Sequence, residues 1–534
     1  MSKKILIAIA AIVILAVGGY FCLRWHERTI EKNILAELAL VPPHLALHCD
    51  SVAYSFFSGE IAFTNLTARI ESAGTTINVA YKIALIRDPN LAAFQGTAKP
   101  GMTLIAKKIL FEGATVAAED GSFHYTIKNG HADNIRMDIH AIREICAGGG
   151  SLSALLSKAL EVEYTHMEYT DLAARMEAEM PGGQMIALSF SARRMTSDNA
   201  AKHRIGAARA EGIAYDLPEG ISLKIADINV KNLFVPDFNP LLNLPEHQMP
   251  EAFLKLFTDE RLLEDFTMNG FAFTRQGRPI MGIARYNAQS AYEPVYTHKQ
   301  SIESLSIDRE ALRRINPDWA EVLEWMGYEE LTGNLSATLR WSEKERLFSV
   351  EPFVADVKDA GRLAITQRMF VPKGMTAVMD ALMDDNMPLL NDVNLNFEDK
   401  SLTTRLFTAI AEEAGLPVEE ILLEALFQID FLRENAYDSY DDEQAEQQVA
   451  MADALETFLL NPGSLVFSMT PERPTPLNAL FMALIFAPES LNIQITSTPG
   501  EKPLIPDFAA PPRYRPEPDE PDTPNRAAPA PFVR

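Results

Sequence analysis

The 534-residue chain lacks the short patterns that carry most enzyme chemistry. It has no phosphate-binding P-loop, no G-x-G-x-x-G after a strand, no H-E-x-x-H, no G-x-S-x-G and no paired C-x-x-C. Each pattern exists to place a phosphate, a metal or a nucleophile at fixed geometry, so their absence removes the matching enzyme classes. No catalytic residue and no cofactor is assigned. Positive charge is also scarce, with 48 Lys and Arg against 73 Asp and Glu, a formal net charge of −25. That balance excludes a nucleic-acid partner, which needs a basic footprint. It also excludes a polybasic grip on anionic lipid headgroups, so any lipid contact must be apolar.

Cysteine is limited to three residues. Cys22 lies in an apolar N-terminal run. Cys49 and Cys146 remain as a candidate disulfide, which an oxidising compartment would allow. Two separate buried thiols are the alternative. Closing that loop would constrain the unfolded chain by about 4–5 kcal/mol in the entropy model.

The N-terminal run, Ile5 to Leu23, is uncharged and follows Lys3 and Lys4. As a helix it would span roughly 28 Å, close to the hydrocarbon thickness of a bilayer. Bulky Tyr20, Phe21 and Leu23 leave no small-residue cleavage site at its end. The expectation is an uncleaved signal anchor, with a cleaved secretory signal as the alternative. The lipid bilayer is then the first partner, and the expected location is the inner membrane, single-pass, with the bulk of the chain in the periplasm.

The expected fold class is α+β: an N-terminal transmembrane helix, then mainly antiparallel, twisted β-sheet, with a helical block in the C-terminal half. The expected organisation is a stub (1–4), the span (5–23), a juxtamembrane helix (24–43), a β-rich exported region (44–300), an α+β exported region (301–500) and a disordered Pro-rich acidic tail (501–534). In SVAYSFFSGEIAFTNLTARI, apolar residues alternate as Ile61 and Phe63, then as Leu66, Ala68 and Ile70. The alternation flips near Thr64-Asn65, which predicts a bulge or kink in one long strand. Residues 103–111, 122–130 and 134–142 read as strands separated by Gly and Asp turns. Residues 183–195 and 220–235 return to alternation, the latter again with an Asn-Leu step, at Asn232-Leu233. Residues 267–286 read as a hairpin. Helices are predicted over 402–414 and 443–460. Between them, Val418, Ile421, Leu422, Ala425, Leu426 and Ile429 form a core-facing stripe. Arg433 suits that helix's negative end.

Each polar cluster has an ordinary role beside a functional one. His124, His131 and His140 lie on neighbouring predicted strands, but three scattered histidines are more often surface residues than a metal site. Glu161, Glu163, Glu168 and Asp171 could pair for acid–base work, and nothing raises one above its neighbours. Gly148 to Ser151 reads as a turn with a Ser cap, although such a turn can cradle an anion. The acidic run Asp438 to Glu443 lacks the spaced ligands of a calcium loop and reads as helix capping.

The apolar run, the helix after it and SVAYSFFSGEIAFTNLTARI together resemble the opening of bacterial envelope proteins of the AsmA-like and DUF945 (YdgA-like) types. That resemblance covers about the first 75 residues and implies a periplasmic, membrane-anchored β-rich protein. For AsmA-like members it implies a β-groove connected with lipid movement or outer-membrane homeostasis. The helical block at 402–460 departs from the AsmA-like pattern. The expected function is an envelope protein that binds phospholipid in a β-groove or supports envelope homeostasis. The alternative is a non-catalytic scaffold with a closed core that binds other envelope proteins.

Overall fold

The computed structural model describes residues 45–508 with interruptions, the longest at 142–157, 236–262 and 372–386. The described chain forms two compact units, one of residues up to Pro317 plus Glu330–Arg340, the other of Asp318–Glu329 plus residues from Trp341 onward.

The first unit is an antiparallel meander. Its strands are β1 (Leu45–His48), β2 (Ser51–Ser55), β3 (Glu60–Ser72), β4 (Thr75–Pro89), β5 (Met102–Ala118), β6 (Phe123–Asp138) and β7 (Tyr164–Glu179). They continue as β8 (Met185–Ala201), β9 (Arg204–Leu217), β10 (Ile221–Phe234), β11 (Asp265–Arg275), β12 (Arg278–Ala291), β13 (Tyr296–Asp308) and β14 (Glu330–Ser342). Strands β1 and β2 both pair with β3, and each strand from β3 to β12 pairs antiparallel with the next. A two-residue turn, Gln276-Gly277, closes the β11–β12 hairpin with φ of 52° and 77°. Positive φ at both residues matches the strand twist, and glycine takes the second place at no steric cost.

Left-handed residues inside the strands explain the flips in alternation. Asn65, Asn134, Asp171, Asn199 and Asn232 have φ between 50° and 54°. Asn and Asp tolerate this region better than other residues with a side chain, because the short polar group bonds locally. The Asn65 amide donates to Asp50 Oδ2 at 2.6 Å and the Asn134 amide to Thr165 Oγ1 at 3.0 Å. Each kink turns the following side chains over. Ile61 and Phe63 before Asn65, and Leu66, Ala68 and Ile70 after it, are therefore all buried in one core. The same device corrects the reading of 122–130 and 134–142 as separate strands. They form the single strand β6, with Asn134 as a kink rather than a turn.

The second unit holds α2 (Pro317–Trp325), β15 (Leu347–Val357), β16 (Gly361–Phe370), β17 (Leu389–Asp399), α3 (Leu402–Ala414), α4 (Val418–Tyr437), α5 (Asp442–Leu460), β18 (Ser464–Met469), β19 (Thr475–Pro476), α6 (Leu477–Phe486) and β20 (Ile493–Thr498). The five-residue α1 (Arg309–Arg313) precedes them in the first unit. Strands β15, β16, β17, β18 and β20 pair antiparallel in that order. Leu422, Leu426 and Ile429 of α4 pack with Phe407 of α3 and Ala452 of α5. Leu504 joins this cluster, so packing extends past the expected boundary at residue 501.

The expected fold class, strand ends and membrane location are corrected. Among the described residues strand accounts for 62% and helix for 21%, so the expected α+β class gives way to a mostly antiparallel β-sheet in which the helical block is the minor part. Residues that read as strand ends proved to be kinks within strands of up to 17 residues. Among the described residues, no helix is long and apolar enough to cross a membrane. The 20-residue α4 carries Glu419, Glu420, Glu424, Asp430, Arg433 and Glu434, too many charges to enter hydrocarbon. The stub, span and juxtamembrane helix, residues 1–43, lie outside the described residues. The transmembrane signal anchor and the single-pass inner-membrane location with a periplasmic bulk therefore find no support and are set aside.

Candidate functional site

The meander has two chemically different faces where β5 to β13 run. On β8 the side chains of Arg194, Thr196 and Asp198 point to one face, and those of Met195 and Ser197 to the other.

The first face is polar between β5 and β8. Register places Lys108, Asp133, His166 and Asp198 in one cross-strand row, and Leu110, His131, Glu168 and Thr196 in the next. Cross-strand neighbours on one face are close enough to interact directly. His131, His166 and Glu168 each bring one donor atom within 4.8 Å of the others. The two imidazoles lie 5.3 Å apart. His166 Nδ1 is 2.6 Å from Asp198 Oδ1. A carboxylate can only accept here, so Nδ1 carries the proton and Nε2 faces Glu168 Oε2 at 3.7 Å. Arg194 grips Glu168 with both Nε and Nη2, at 3.1 and 2.9 Å. These hydrogen bonds hold the Glu168 carboxyl below its ordinary range against the opposing effect of burial. Burial, reinforced by Lys108, lowers the pKa of His131 despite Asp133 and Glu168. A cavity of about 400 Å³ opens beside the cluster, with His131 and Glu168 in its wall. Ile83, Leu85 and Leu110 make its apolar side, and Glu112, Asn129 and Thr170 its polar side.

The opposite face is apolar from β8 to β13. One row runs Phe190, Tyr215, Leu223, Phe273, Met281, Ile307, and a second runs Met195, Ala210, Ile228, Met268, Tyr286, Ile302. Both rows contribute to a single cluster around Ala192, Ile213 and Ile225, so they share a face. Exposure separates this stretch from the rest of the sheet. Between β3 and β6 the largest core side chains, such as Phe63, Ile77 and Phe123, are at most 1% exposed. In the two rows every side chain stays at least partly accessible, and Tyr215 is 41% exposed. The second unit carries its own exposed apolar stripe, Leu423, Phe427 and Phe431, one turn apart along α4.

The residues singled out from sequence are dispersed. Cys49 is buried with a free thiol, and Cys146 lies outside the described residues. Gly148 to Ser151 and Asp438 to Asp441 also lie outside them. His124 sits exposed at the start of β6 opposite Arg175, and His140 follows the end of that strand, so neither reaches His131. Glu161 bonds Lys158, Glu163 pairs with Arg136, and Asp171 pairs with Lys128. Glu168 alone of that set meets the histidines. His166 was missed, because only the β6–β7 register brings it beside His131, 35 positions earlier in the chain.

A family model described as "Uncharacterized protein" matches residues 354–498. This match brings no evidence for the AsmA-like or DUF945 types. None of the curated proteins compared matches the chain.

Proposed function

We propose that the protein binds lipid acyl chains along the apolar rows of β8 to β13. The observation that carries this reading is the contrast in burial within one sheet. The largest core side chains of β3 to β6 reach near-zero exposure, whereas β8 to β13 keep two continuous apolar rows partly accessible around the buried Ala192, Ile213 and Ile225. Six strands at about 4.8 Å spacing make each row roughly 24 Å long. One leaflet of a hydrocarbon core about 30 Å thick is some 15 Å deep, so a row exceeds the reach of one acyl chain. The rows offer methionine and aromatic side chains, which adapt to flexible apolar ligands. The net charge of −25 makes apolar contact, rather than headgroup attraction, the source of affinity.

The second reading, a non-catalytic scaffold, is favoured by the filled core of β3 to β6. Native mass spectrometry of the purified full chain separates the two. Phospholipid or fatty-acid adducts on the wild type, lost in Ile228→Asp/Met268→Asp, support acyl-chain binding. A bare protein mass under conditions that keep the fold supports the scaffold.

A further inference from the structure

The polar face of the same sheet holds an arrangement that acyl-chain binding does not use. We infer that His131, His166 and Glu168 form a binding site for one divalent first-row transition metal ion, with zinc the natural occupant, open on its remaining side to the adjoining cavity.

Two observations and the chemistry of the donor set converge. Two imidazole nitrogens and one carboxylate oxygen lie within 4.8 Å of one another. Donors held about 2.0–2.2 Å from a tetrahedral zinc lie roughly 3.3 Å apart, so closing the site asks the donors to draw together by about 1.5 Å at most. Two nitrogens and one carboxylate oxygen form the donor set of open zinc and iron sites, since imidazole selects first-row transition metals over magnesium or calcium. Asp198 on Nδ1 of His166 supplies the outer carboxylate that fixes a ligating histidine's tautomer and leaves Nε2 aimed inward.

The surrounding charge also fits. Asp133, Glu168 and Asp198 face Lys108 and Arg194 across the cluster, which leaves one negative charge for a dication to offset. Arg194 donates to both oxygens of Glu168, so metal binding takes one oxygen and leaves the other on the guanidinium. The carboxylate is then monodentate and oriented from behind. Because His131 and Glu168 are both in the cavity wall, the fourth coordination position faces the 400 Å³ space. Water or one small oxygen-donor ligand fits there, with Ile83, Leu85 and Leu110 receiving any apolar part. Since this site lies on the opposite face from the acyl-chain rows, it stands or falls independently of them.

The test is equilibrium dialysis of untagged full-length protein against zinc, read by elemental analysis. Cobalt substitution is followed by visible absorption. One zinc per chain is expected for the wild type and for His298→Ala, which removes a histidine elsewhere in the sheet. His131→Ala/His166→Ala is expected to lose that zinc, and Asp198→Asn to weaken it 10–100-fold. Circular dichroism confirms the fold of each variant; should the double variant fail to fold, Asp198→Asn and Glu168→Gln carry the test. Wild type that takes up well under one zinc per chain overturns the proposal. So does zinc retained undiminished in the folded variants, and the cluster is then an ion-pair network only.

Discussion

Replacing Arg433 with methionine should loosen the pairing of α4 with α5. Arg433 is 3% exposed and donates to Asp430 and Glu456, and to Asp453 at 2.8 Å. Burial alone would lower its pKa, but the hydrogen bonds to Glu456 and Asp430 raise it, so the guanidinium stays charged. Glu456 is 6% exposed, so losing the arginine takes the charged donor away from a buried carboxylate. Breaking such a pair typically costs about 3–5 kcal/mol. Asp453 can turn toward water, since its side chain is 43% exposed. Because the chain has two units, a single melting temperature would blur the effect. Amide hydrogen exchange along α4 and α5 reads it locally. Arg433→Met should speed exchange there by roughly two to four powers of ten, at about 1.4 kcal/mol per tenfold. Arg433→Met with Glu456→Leu should restore protection, because replacing a whole buried pair by apolar groups is commonly neutral or stabilising. A single variant that shifts exchange less than tenfold, or a double variant no better than the single, would refute the buried-charge reasoning.

Three further outcomes are expected. A Cβ on Gly130 would lie 2.2 Å from the Phe111 ring, so Gly130→Ala should destabilise the first unit by about 1–3 kcal/mol in urea unfolding, with partial rescue by Phe111→Leu. Burial lowers the pKa of His298, so the unfolded chain takes up the proton first; its contribution to stability is complete above pH of about 6.5 and falls as the pH drops below that. His298→Gln should therefore flatten part of the loss of thermal stability on the acid side. Changing Leu423, Phe427 and Phe431 to serine should alter stability by no more than about 0.5 kcal/mol each while reducing binding of a hydrophobic dye, since all three are exposed.

Helices were the most legible part of this sequence. The stripe Val418, Ile421, Leu422, Ala425, Leu426, Ile429 packs inward in α4, because a helix reports its buried face within its own stretch of chain. Arg433 was less legible. It read as a partner for the helix end, but it pairs with Asp430 on its own helix and with Asp453 and Glu456 on the next. Strand boundaries misled for a different reason. Asn and Gly mark turns, and the same residues make left-handed kinks that turn a strand over without ending it. Asn134 is such a case, while Gln276-Gly277 is a true turn. The metal-type cluster was illegible because long-range register, not local pattern, sets His166 against Asp198 and beside His131.

Photo-cross-linking tests acyl-chain binding most directly. The folded full chain is loaded with a fatty acid bearing a photoactivatable group near its methyl end, irradiated, digested and mapped by mass spectrometry. Adducts are expected on the β8–β13 rows, around Ile228, Met268, Tyr286 and Ile302, and should be outcompeted by unlabelled fatty acid. Adducts confined to the opposite face or to the α4 stripe, or a chain that takes up no label, would contradict acyl-chain binding by the sheet.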